Sequence, residues 1–131
     1  MSTSGKEVKV AIIGLGQVGS TFLEKLAEKS GNGVAIVAAA ELDQSAPGVE
    51  VAKKKGINVV SASKDVIAMG ESIDIIFDLT GSADAKRALR SELARSGNQH
   101  TVLAPEIVAF LMWDLMGEGS ELSTKHGSSG Y

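Results

Sequence analysis

Residues 10–22 read VAIIGLGQVGSTF, and three glycines in that stretch, Gly14, Gly16 and Gly19, stand at the spacing G-x-G-x-x-G. That spacing suits a chain that must turn sharply and then accept a diphosphate. The first glycine permits the tight turn. The second has no side chain, so a pyrophosphate can reach the main chain, and the third lets a helix pack close to the strand. A helix starting there offers unpaired N–H groups and the positive end of its dipole to phosphate. The same fingerprint asks for an acid about 20 residues further on, to accept hydrogen bonds from the ribose hydroxyls of an adenosine. Glu41 stands there, directly after VAIVAAA at 34–40, with Asp43 close behind. No Arg or Lys follows at once, so a 2′-phosphate would meet negative charge unaided; the pattern favours NAD over NADP. The plainer alternative is a tight strand-to-helix turn followed by a solvated acid.

A second candidate stretch is Asp78-Leu79-Thr80-Gly81-Ser82. In a parallel sheet that reverses its strand order, ligands bind at the carboxyl ends of the strands flanking the reversal. Thr80 and Ser82 have hydroxyls for a nicotinamide ribose or another small ligand, and Gly81 lets backbone come near it. Ser82 equally suits a helix cap, and one residue can do both. With the intervening Leu15, Gln17 and Val18, and with Leu42 beside the acid, these residues complete the candidate cofactor-binding set.

Other chemistry is scarce. The chain has no cysteine, which excludes disulfides and thiolate nucleophiles. His100 and His126 are too few for a histidine metal site. Lys53-Lys54-Lys55 reads as a solvated helix face, and Arg87, Arg90 and Arg95 interleave with Asp84 and Glu92 as surface pairs. A net charge of −3 supplies no basic field for nucleic acid or an anionic membrane. No apolar run reaches the roughly 18–20 residues a bilayer span needs. The polar start MSTSGKEVKV is not a signal peptide, so the expected location is the cytoplasm.

These residues need a scaffold, and the chain's 131 residues suit one domain. Apolar runs at 8–13, 34–40, 57–60, 73–79 and 100–103 read as five strands. Helical spacing connects them: Val18 to about Lys29, Pro47 to near Gly56, a short helix capped by Ser63, Ser82 to about Ser96, and Pro105 through Met116. Alternating strands and helices imply a parallel sheet covered on both faces. The expected fold is α/β, a Rossmann-type doubly wound sheet in the order 3-2-1-4-5, with the flavodoxin-like order 2-1-3-4-5 as the alternative. The expected organisation is a flexible start at 1–7, one domain at 8–116 and a disordered Gly/Ser-rich tail at 117–131. The last helix, PEIVAFLMWDLM at 105–116, has almost no polar face. Such a helix must be buried on more than one side. One side packs on the sheet. Exposed Met and Trp on the other would call for a second subunit or a following domain at 107–116.

VKVAIIGLGQVGSTFLEKL, VAIVAAAELD and IDIIFDLTGS together resemble the N-terminal NAD(P)-binding domain of the glucose–fructose oxidoreductase/inositol dehydrogenase family. Homoserine dehydrogenases and dihydrodipicolinate reductases begin similarly. The resemblance covers roughly residues 8–110 and implies a dinucleotide ligand. That family has an E-K-P motif after its fifth strand, whose lysine assists hydride transfer, and a second domain for substrate. Here Glu106 falls where that lysine would stand, and no lysine lies between Leu103 and Gly117. A closer likeness is to Rossmann-like domains preceding PAS-containing bacterial sensor histidine kinases. It rests on A-P-G-x-x-x-A-x-x-x-G-I from Ala46 to Ile57, the D-L-T-G turn at Asp78–Gly81, and the W-D-L ending at Trp113–Leu115. That likeness implies a NAD(H)-binding regulatory or sensory module without catalysis of its own. The alternatives are a cofactor-binding fragment or subunit of an NAD-dependent oxidoreductase, and a scaffold for another nucleotide or for association alone.

Overall fold

The computed structural model describes residues 7–29, 31 and 33–116. The expectations for residues 1–6 and for the tail 117–131 with His126 lie outside the described residues. Five parallel strands, β1 (Val8–Ile13), β2 (Val34–Ala40), β3 (Val59–Val60), β4 (Ile75–Asp78) and β5 (Val102–Ala104), form one sheet in the order β3-β2-β1-β4-β5. This is the Rossmann-type order, and it excludes the flavodoxin-like one. The crossover helices are α1 (Gln17–Glu28), α2 (Pro47–Lys54), α3 (Ser63–Ile67) and α4 (Ala83–Arg95), and α5 (Glu106–Leu115) follows the last strand.

Strand alternation divides the core into two layers. Val10, Ile12, Ala39 and Phe77 meet α1, α2 and α5 through Phe22, Leu26, Val49 and Phe110. Ala11, Ile13, Ala38 and Ile76 meet α3 and α4 through Val66, Ile67 and Leu89. Phe22 and Phe77 pack edge to face, with ring centroids 5.1 Å apart. Among the described residues no helix is long and apolar enough to cross a membrane.

Several boundaries differ from the sequence reading. The third strand is two residues, not four, because Ile57 N–H closes the end of α2 on the Ala52 carbonyl. Ser63 does not cap α3; Ala62 precedes the helix without a side-chain bond, and Ser63 is its first residue. Ser82 does cap α4, accepting from Ala85 N–H at 3.1 Å. The fourth and fifth strands start two residues later than the sequence reading, at Ile75 and Val102, and a side-chain cluster joins Asp74 and His100 just before them. Asp74 Oδ2 accepts from Lys9 N–H at 2.8 Å, and Oδ1 meets His100 Nε2 at 2.5 Å. This cluster ties together the starts of β1, β4 and β5, at the opposite end of the strands from the glycines.

The Lys9 N–H, and next the His100 side chain, hold the Asp74 carboxyl below its ordinary value of 3.8. A lowered folded value means that the charged form stabilises the fold. The contribution is complete above the ordinary value and is lost as pH falls through the lowered one. Urea midpoints followed from about pH 5 down to about pH 2.5 are expected to fall less steeply in Asp74→Asn than in the wild type. Parallel curves would contradict this role for Asp74.

The last helix corrects an expectation. Trp113 is 6% exposed and lies in the core with Ala109 and Phe110, while Met112 and Met116 pack half-buried against the same cluster. The large apolar residues left outside are Ile107 at 66%, Leu111 at 58% and Leu115 at 76% exposure. Their i, i+4, i+8 spacing makes one row pointing away from the sheet.

Candidate functional site

Gly14 follows β1 with φ at +100°, a conformation that favours glycine. Its N–H donates to the Ala40 carbonyl at 2.9 Å, and a Cβ there would lie 2.7 Å from the Leu79 carbonyl group. The turn therefore presses against the end of β4 and hydrogen-bonds to that of β2. Gly16 caps α1, and no side-chain bond satisfies the helix's first N–H groups. No acidic residue stands in that first turn, so the helix's own side chains leave its positive end uncompensated. Gly19 is the closest contact: a Cβ there would sit 1.8 Å from the Gly14 carbonyl oxygen. Helix α1 can lie on the loop only because residue 19 has no side chain.

Glu41 is tied to this loop. Its Oε1 accepts from Leu15 N–H at 2.6 Å, and its Oε2 accepts from Asp43 N–H at 3.0 Å. A carboxylate has about four acceptor positions, so capacity remains for a ligand's hydroxyls. Asp43 is occupied in its own turn, where the Ser45 hydroxyl and N–H hold its carboxyl below the usual range. Glu41→Ala would leave the buried Leu15 N–H without its acceptor, a loss of about 1–3 kcal/mol. Chemical denaturation of the ligand-free protein is the measurement; a loss under about 0.5 kcal/mol would contradict the latch.

A chain of short bonds orders the turn after β4. Asp78 Oδ1 accepts from Thr80 N–H at 3.1 Å and from the Thr80 hydroxyl at 2.8 Å. Thr80 Oγ1 accepts from Ser82 N–H at 3.2 Å, and Ser82 then caps α4.

Between these segments lies a cleft of about 600 Å³ at the carboxyl ends of the strands. That volume suits a small-molecule site. It brings together Gly14, Gly16, Glu41, Leu42, Thr80 and Ser82. Leu15 and Val18 have their side chains wholly in the core, so they can offer a ligand only main chain. Gly19 is buried beneath the loop, and Gln17 and Gly81 are exposed but do not line the cleft. Lys53, Lys54 and Lys55 do not line it either. Arg87 pairs with Asp84, and Arg95 pairs with Glu92 at 3.2 Å, as surface pairs; the second pair also borders the cleft. Glu106 is held by Lys86, whose Nζ reaches its Oε1 at 3.1 Å from α4. Among the described residues no group of three or more His, Asp or Glu is placed to hold a metal.

Two parts of the site escaped the sequence reading. Ser61–Lys64 and the Ala85, Ala88 and Leu89 side of α4 wall the cleft. The rule that strand carboxyl ends line the crevice could have found the first. Gly48 is the other: its N–H donates to the Leu15 carbonyl at 2.9 Å, and a Cβ would meet Leu15 Cβ at 2.8 Å, so α2 buttresses the glycine loop.

No protein-family model matches the chain, and no curated protein matches it in sequence. Solved structures do match. Scyllo-inositol dehydrogenase from Lactobacillus casei, with bound NAD(H) and scyllo-inositol, is 20% identical at a TM-score of 0.57, covering 76% of this chain and 28% of that one. Homoserine dehydrogenase from S. aureus is 16% identical at a TM-score of 0.53, covering 77% of this chain and 33% of that one. Myo-inositol 2-dehydrogenase from Lactobacillus plantarum is 23% identical at a TM-score of 0.50, covering 88% and 43%. The chain thus spans less than half of each of these proteins. Their likeness shows the fold, a five-stranded parallel Rossmann-type sheet. The sensor-kinase resemblance has no counterpart among these three.

Proposed function

We propose that this chain binds NAD(H) and serves as the cofactor-binding unit of an oxidoreductase whose substrate-binding part lies in other sequence. The observation that carries the reading is the convergence of Gly14, Gly16, the start of α1 with no side-chain cap bond, and the latched Glu41 on one cleft at the sheet's reversal point. The loop main chain and the first N–H groups of α1 would hold the pyrophosphate. Glu41 would accept the adenosine ribose hydroxyls, and its charge disfavours a 2′-phosphate. Thr80 and Ser82 would face the other end of the ligand. Bound NAD supplies a two-electron hydride acceptor; the chain's own residues bind and orient it. The L. casei enzyme that shares the fold holds NAD(H), which supports the same ligand here. In backbone amide NMR spectra, added NAD+ should move Gly14, Gly16, Gln17, Glu41 and Thr80 and leave α5 unmoved. Shifts confined to other residues would contradict this site.

The second reading is a regulatory module that reports cofactor occupancy to a neighbouring chain. The outward row Ile107, Leu111 and Leu115 favours it, because three large apolar side chains in line suit an association face. Leu111→Glu leaves the core untouched. The wild type should sediment as a dimer at high concentration and Leu111→Glu as a monomer. A wild-type monomer would contradict self-association through this row.

A further inference from the structure

Asp78 has a buried carboxylate that the proposed cradle does not use. The residue is 1% exposed, and Oδ1 is served by Thr80, but Oδ2 is buried without a hydrogen-bond partner among the described residues. Its place is informative. Asp78 pairs in register with Ile13, the residue just before the glycine loop, and is followed by Leu79 and Thr80; all three neighbours line the cleft. Strand alternation puts Asp78 on the sheet face of Ile76. Ile13, Ala40 and Leu89 share that face and wall the cleft. Of the two cations among the described residues that border the cleft, Lys64 lies on α3, and Arg95 is at the far end of α4, paired with Glu92. The carboxylate thus lies under the cleft floor, out of contact with solvent.

We propose that Asp78 sets the oxidation state the cleft prefers, favouring NAD+ over NADH; this rests on the dinucleotide reading above. The two forms differ by one positive charge on the nicotinamide ring, which hydride addition removes. At an effective dielectric constant of about 20, a unit charge even about 12 Å away changes Kd about tenfold. The same carboxylate opposes the pyrophosphate, so it weakens any ligand lacking the cationic ring.

The test is the Kd of NAD+, NADH and ADP-ribose for the whole chain, wild type and Asp78→Asn. Asparagine keeps the Oδ1 acceptor for Thr80 and removes the charge. The wild type should bind NAD+ about tenfold tighter than NADH. Asp78→Asn should bring the ratio close to one and tighten ADP-ribose. A wild-type ratio near one overturns the proposal whether or not the variant folds, and an unchanged ratio in a folded variant also overturns it. Binding of none of the three ligands removes the dinucleotide reading itself, and this proposal with it.

Discussion

Gly19→Ala is expected to lower the melting temperature by at least about 10 °C, or to prevent folding. One added carbon would lie 1.8 Å from the Gly14 carbonyl oxygen, and both the carbonyl and the helix axis are fixed. Gly14 cannot retreat, because its N–H is bound to Ala40 and it already rests against Leu79. Helix α1 cannot retreat either without uncovering Phe22 and Leu23, both fully buried. Ordinary overpacking costs about 1–3 kcal/mol, and this contact with main chain exceeds that range. A melting temperature within about 2 °C of the wild type would show that the loop and helix are not packed as described.

Gly16→Val, three residues earlier, should do the reverse. Gly16 has φ at −72° and ψ at −156°, which any residue adopts, and it is half-exposed. The fold should lose about 1 kcal/mol or less, from a poorer helix cap. Affinity for NAD+ should fall about a hundredfold or more, equivalent to about 3 kcal/mol, because the branched side chain occupies the pyrophosphate's approach. Calorimetry on folded protein separates the two effects. Unchanged affinity would reduce the loop to a turn. The pair of variants therefore divides the motif, with residue 19 serving the fold and residue 16 the ligand.

The glycine spacing and the strand–helix alternation made the parallel sheet and the position of Glu41 legible, and left the sheet's strand order between two alternatives. Both are local patterns, set by a few residues in sequence. What escaped is tertiary. Gly48 looks like any helix glycine until α2 is laid against Leu15. Ser61–Lys64 carries no motif and borders the cleft only because β3 lies beside β2. The direction of α5 was misread for a physical reason: a helix apolar on every side has no polar face to orient it, so Trp113 and Leu111 looked equivalent. Asp78 was legible as a residue near the reversal point, but its half-satisfied carboxylate follows from burial, which sequence alone does not show.

The central claim is that the cleft over the glycine loop is a dinucleotide site, and titration calorimetry with NAD+ tests it most directly. The prediction is one ligand per chain with a Kd below about 1 mM, equivalent to about 4 kcal/mol or more of binding free energy, with heat abolished in Gly16→Val. No heat with NAD+ or NADH at millimolar concentration, from protein shown to be folded, would contradict it.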